Sequence, residues 1–232
     1  MSKKDKKEKQ TNEPVENIQE TLTRTEQFII KNQKILLYSI LGIIAVILLI
    51  VGYNKFIVKP KEEQASAEMF IAERYFERDS FALALNGAEG YPGFVQIIED
   101  YSGTKAANLA HFYAGLSYMY LGDYDNAISY LEDFKTDDII LGAEKYGAIA
   151  DAYVQKDQYE KAIKYYKKAI ASEYENDLTT PIFLKKLGLV YEKTGDYQKA
   201  LEQYQKIYKD YPQSQEARTI EKYIERAKLN IK

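Results

Sequence analysis

Cysteine is absent from this 232-residue chain, which therefore has no disulfide, no thiolate metal site and no catalytic thiol. A protein without thiols suits either side of a membrane, so the compartment stays open. There is one histidine, His111, and any histidine zinc site or Ser–His–Asp triad would have to be built around it. Tryptophan is missing too, and glycine (12) and proline (5) are scarce, a profile that suits a mostly helical protein. The net charge of −3, from 32 basic and 35 acidic residues, lacks the basic surplus that wholesale nucleic-acid binding needs.

What the chain does have is one long uncharged run and 22 tyrosines. Three zones follow. Residues 1–34 open on the lysine-rich "MSKKDKKEKQ", expected to be disordered and solvated. After Pro14, the spacing of Val15, Ile18 and Leu22 predicts a short amphipathic helix. The run "ILLYSILGIIAVILLIVGY", Ile35 to Tyr53, carries no charge over 19 residues. As a helix it spans roughly 28 Å, close to the ~30 Å of bilayer hydrocarbon. Its 13 Ile, Leu and Val residues favour insertion by roughly 4–8 kcal/mol. A transmembrane helix over residues 35–58 is expected, with Tyr38 and Tyr53 near the interfaces. For a cleaved signal peptide the run begins too late and is too long, and the small residues Ala65-Ser66-Ala67 lie a dozen residues beyond it. Lys and Arg counts near the two membrane ends tie. The short tail's total of eight therefore favours the tail inside and the large domain outside the cytoplasm.

Residues 61–232 repeat internally. "HFYAGLSYMYLGDYDNAISYLEDF", "YGAIADAYVQKDQYEKAIKYYKKA" and "LKKLGLVYEKTGDYQKALEQYQKI" align. Gly115, Ala150 and Gly188 correspond, as do Tyr118, Tyr153 and Tyr191; Tyr124, Tyr159 and Tyr197; and Ala127, Ala162 and Ala200. A weaker copy places Ala72, Tyr75, Phe81 and Ala84 in the same order, then departs through "NGAEGYPGF" to a short helix over "FVQIIEDY". This pattern resembles the tetratricopeptide repeat, a pair of antiparallel helices repeating about every 34 residues. The resemblance implies an all-α solenoid of three to four repeats behind a single N-terminal transmembrane helix. The small residues would allow close helix packing, the tyrosines would fill inter-helix grooves, and Gly122, Asp157 and Gly195 would make the turns. Pro212 closes the last repeat, and "EARTIEKYIERAKL" reads as a capping helix.

Reactive chemistry is hard to find. His111 stands where the repeat often has a bulky aromatic and reads as packing. "GAEGYPG" lacks the Lys-Ser/Thr of a phosphate cradle, and Asp137–Asp138 matches no calcium loop. No enzyme, cofactor or metal is expected. By the repeat's geometry the first helices line a concave face, on which a partner groove falls at Met69, Phe76, Phe112, Leu116, Met119, Tyr120, Val154 and Leu189, with Asp151, Lys185 and Glu192 beside them. Such apolar, methionine-bearing faces suit a helix or an unfolded segment. The alternative is that the inserted segment or the capping helix covers them. The lysine–asparagine set with which some relatives clamp a C-terminal carboxylate is missing.

The layout of short basic tail, single anchor and exported repeat domain resembles the YfgM-like ancillary Sec-translocon family of Gram-negative inner membranes. That resemblance implies a non-enzymatic scaffold beside the protein-conducting channel (SecYEG). It would work with a membrane-anchored periplasmic chaperone and exported client segments. An envelope-assembly or cell-division coordinator, or a regulatory module acting through the tail, are the readings from other classes.

Overall fold

The computed structural model describes residues 5–231, with side chains from residue 26 onward. Among the described residues the structure is all helix, apart from one isolated bridge between Ala88 and Tyr91. It separates into two compact units, Met1–Lys59 and Pro60–Lys232.

The first unit is one long helix, α1 (Asp5–Tyr53), followed by a turn of π-helix, Asn54–Val58. The expected break between a disordered tail and a short amphipathic helix does not appear, because α1 already runs from Asp5. The lysine-rich start lacks apolar residues, but Lys, Glu and Gln are strong helix formers, so a helix needs no apolar face there. Residues 1–4 and the side chains of Val15, Ile18 and Leu22 lie outside what is described. Apart from the half-buried Leu36, the large side chains from Ile35 to Tyr53 are exposed, from Ile44 at 46% to Leu49 at 73%. This is a helix long and apolar enough to cross a membrane.

The second unit is a stack of helix pairs. Its helices are α2 (Lys59–Phe76), α3 (Phe81–Asn86), α4 (Phe94–Asp100), α5 (Lys105–Tyr120), α6 (Tyr124–Asp133), α7 (Ile139–Gln155), α8 (Tyr159–Ala169), α9 (Thr180–Lys193), α10 (Tyr197–Asp210) and α11 (Ala217–Asn230). Each later helix buries one stripe. In α10 that stripe is Ala200, Leu201, Tyr204 and Ile207, and in α11 it is Ile220, Ile224 and Ala227. These spacings follow the 3.6-residue period of an amphipathic helix. The array is a tetratricopeptide-like solenoid.

Four turns share one geometry. Asp79, Gly122, Asp157 and Gly195 all have φ between 53° and 82°. After each, the next residue's N–H donates back to a tyrosine carbonyl: Ser80 to Tyr75, Asp123 to Tyr118, Gln158 to Tyr153 and Asp196 to Tyr191, at 2.8–2.9 Å. This is the Schellman closure, which satisfies the last carbonyls of the first helix and turns the chain into the second. The copy around Ala72 and Ala84 has the same closure, so it is a structural repeat despite its weaker sequence.

Close packing explains the small residues. A Cβ on Gly115 would lie 2.5 Å from Leu131 Cγ, and one on Gly188 would lie 2.3 Å from Tyr204 Cε1. Each glycine lets the second helix of its own pair approach the first. Ala84, Ala127, Ala162 and Ala200 are fully buried at the matching place on the second helices. The insertion after α3 is not a loose loop. Phe94 and Ile97 of α4 are fully buried and share a core with Ala65, Met69 and Ala72 of α2. Pro212 follows α10, and α11 packs on α10 to cover the last apolar stripe.

Candidate partner-binding groove

The first helices α5, α7 and α9 neighbour one another along the array. Between α7 and α9 a cleft of about 430 Å³ opens to solvent, with Val154, Leu189 and Val190 as its apolar side. Its polar side is built. Asp151 of α7 accepts from the buried Tyr166 hydroxyl at 2.5 Å and from Lys186 Nζ of α9 at 2.6 Å. Asp157 accepts from Tyr159 at 2.5 Å. Burial raises the Glu144 carboxyl above its usual range; Lys186 opposes the shift and Asp151 reinforces it. Lys193 lines the same cleft and is exposed.

The eight residues placed in a groove by sequence do not form one surface. Met69 is 3% exposed and Phe112 8% exposed, and both are core. The Phe112 ring lies tilted against Phe134, with centroids 5.1 Å apart, and shares a cluster with Ala148 and Ile149 of α7. Leu116 and Met119 are half-buried against that cluster. Phe76, half-buried, and Tyr120, exposed, meet at the α2–α5 end of the array, 6.1 Å apart. Val154 and Leu189 meet in the α7–α9 cleft. Of the flanking polar residues, Lys185 lies over Tyr223 and Glu192 pairs with Arg226.

The tyrosines do more than fill grooves. Their hydroxyls donate to carboxylates of neighbouring repeats: Tyr101 to Glu68 at 2.8 Å, Tyr211 to Glu175 at 2.5 Å, and Tyr165 to Glu132. Hydrogen bonds to an ionised acceptor are about twice as strong as neutral ones. Sequence reasoning missed these links. Their signal was separation: Glu68–Tyr101 and Glu132–Tyr165 are each 33 residues apart, close to one repeat.

His111 is half-buried beside Tyr130, with ring centroids 5.9 Å apart. Burial lowers its pKa, and Asp133 partly offsets this. Among the described residues no group of three or more His, Cys, Asp or Glu could hold a metal ion.

Comparison with known proteins gives the class. Residues 109–138 and 143–213 match tetratricopeptide-repeat models. The chain thus carries tetratricopeptide repeats, and these imply a protein–protein interaction scaffold. A curated relative, the "Uncharacterized protein ycf37" of Guillardia theta, is 34% identical over 119 residues, covering 50% of this chain and 65% of that protein. The chain therefore spans a little under two thirds of that relative's length. Among solved structures, the MamA protein is 24% identical at a TM-score of 0.51, over 72% of this chain and 88% of that one. A kinesin-light-chain-type protein of Podosopora anserina with nearly identical TPR-like repeats is 13% identical at 0.56, over 73% and 87%. At these identities the two structures share the fold.

Proposed function

We propose that the chain is a non-enzymatic scaffold tethered to a membrane by Ile35–Tyr53, whose repeats hold a polypeptide segment of a protein partner. One observation carries the reading. The same chain joins an apolar helix, with nearly all its large side chains left exposed between Ile35 and Tyr53, to a repeat array with an open cleft at Val154 and Leu189. An apolar surface of that size is stable in hydrocarbon and costly in water. The charge of the short tail supports a bacterial inner-membrane setting with the N-terminus cytoplasmic and the repeats periplasmic. In that setting the partners are the SecYEG translocon or a membrane-anchored periplasmic chaperone, and the held segments belong to exported clients.

The test is affinity purification of the full chain from detergent extracts, followed by mass spectrometry. Channel subunits or chaperones are the expected co-purifying proteins; cell-wall or division proteins instead would assign it to envelope assembly. Protease added to the outside of spheroplasts should digest the repeats. Digestion of the tail alone would reverse the orientation and remove the export role.

A further inference from the structure

An aromatic surface lies at the α2–α5 end of the array, away from the cleft. Phe81 and Tyr120 stack face to face, 4.3 Å apart at 9°, and Tyr120 is 66% exposed. Phe76 sets its edge against both, and against Tyr113 at 5.2 Å. These rings come from two helix pairs and converge where α2 and α5 end, so the patch belongs to the assembled array.

Two carboxylates flank it. Glu73 and Glu77 lie one turn apart on either side of Phe76, and both act on Tyr113, whose pKa is raised by burial, then by Glu73 and Glu77. Among the described residues neither carboxylate has an ion pair. Arg74 is drawn over Phe70 at 5.9 Å, and Arg78 pairs with neither. Both acids also stand at the C-terminal end of α2, where the helix dipole is already negative. Burial and the Glu77 charge together raise the Glu73 carboxyl. Two like charges held one turn apart and both acting on Tyr113, at the wrong end of a helix, cost stability within the folded chain. A cation placed there removes the repulsion and adds contact with ring faces.

We propose that this surface docks an arginine or lysine side chain on an extended segment of the protein partner. The inference rests on the scaffold reading and gives one end of the held segment its chemistry. The side chain lies over Tyr120 and Phe81, with its charge between Glu73 and Glu77.

Fluorescence anisotropy on the full chain in detergent tests this with two probes: a short flexible peptide carrying two arginines, and the same peptide with citrulline in their place. The arginine peptide should bind about tenfold more tightly, with an advantage that shrinks as salt rises. Glu73→Gln with Glu77→Gln should erase the preference. Phe81→Ala with Tyr120→Ala should weaken binding of the arginine peptide, with helicity by circular dichroism unchanged. Equal binding of the two peptides, or an arginine preference that survives the double Gln variant, overturns the inference. So does a wild-type dimer that the double Ala variant converts to monomer, since the patch would then be a self-association face. In each of those cases co-purification of a partner that depends on Leu189 would leave the scaffold reading standing.

Discussion

Glu62, in the first turn of α2, caps a helix that starts 43 residues later: its Oε2 accepts from the backbone N–H of Lys105 at 2.7 Å. Its Oε1 accepts from Ala106 at 3.0 Å. Thr104 completes the set: its hydroxyl accepts from Ala107, and its own N–H donates to the Tyr101 carbonyl at 3.1 Å. All four orphan N–H groups at the start of α5 are thus satisfied, half of them by a distant carboxylate. Negative charge there is also favoured by the helix dipole.

Glu62→Ala should therefore cost about 1–2 kcal/mol, more than an ordinary surface change. Urea unfolding of the full chain would measure it, and hydrogen exchange should speed up at Lys105 and Ala106. An unaltered midpoint would show that water replaces the carboxylate.

Gly188→Ala and Gly115→Ala should each destabilise by about 1–3 kcal/mol, because the added methyl overlaps Tyr204 or Leu131, both fully buried. Gly42→Ala, with nothing within 4 Å, is the control and should leave the melting temperature of the repeats unchanged.

Tyr101 should be among the last tyrosines to ionise. Burial raises its pKa first, then the hydrogen bond and charge of Glu68 and the charge of Asp100, pushing it up to about 12. A raised folded value means that the contribution is complete below the unfolded pKa of about 10 and is lost as pH rises towards the folded one. Spectrophotometric titration should show late tyrosinate ionisation, shared with Tyr165, Tyr166, Tyr204 and Tyr211, whose amplitude Tyr101→Phe lowers by one tyrosine. The variant should also lose part of the alkaline instability of the wild type.

Leu189→Asp should abolish partner capture and leave helicity intact, since Leu189 is exposed in the cleft. Phe112→Asp should instead lower stability by about 3–5 kcal/mol, since it buries an unpaired charge beside Phe134. Pull-downs and thermal melts on the two variants separate surface from core. Loss of capture by both with equal loss of fold would remove the cleft from the proposed function.

The repeats were readable because the turn residue, the small residue and the buried alanine each answer a local steric demand. Gly122 and Asp157 stand at positive φ, Gly115 and Gly188 stand at closest approach, and Ala127 stands with no exposed surface. The groove was less readable. The spacing that puts Phe112 on a first helix cannot say which flank of that helix meets α7, and Phe112 went to the core. Met69 was claimed by α4, a helix whose packing direction no local pattern encodes. The tyrosine–carboxylate links joined residues about one repeat apart, a distance over which side-chain direction is set by the stacking of whole helix pairs.

By itself the amino-acid order determined the helices, their turns and the apolar segment, because period, propensity and positive-φ tolerance act within a few residues. The tertiary structure alone decided which of the inward-pointing residues remain in contact with solvent. It also decided that Glu62 caps a distant helix and that Glu73, Glu77 and four aromatic rings converge. Those outcomes depend on the angle and register at which one helix pair lies on the next, and that is fixed by the summed packing of many side chains.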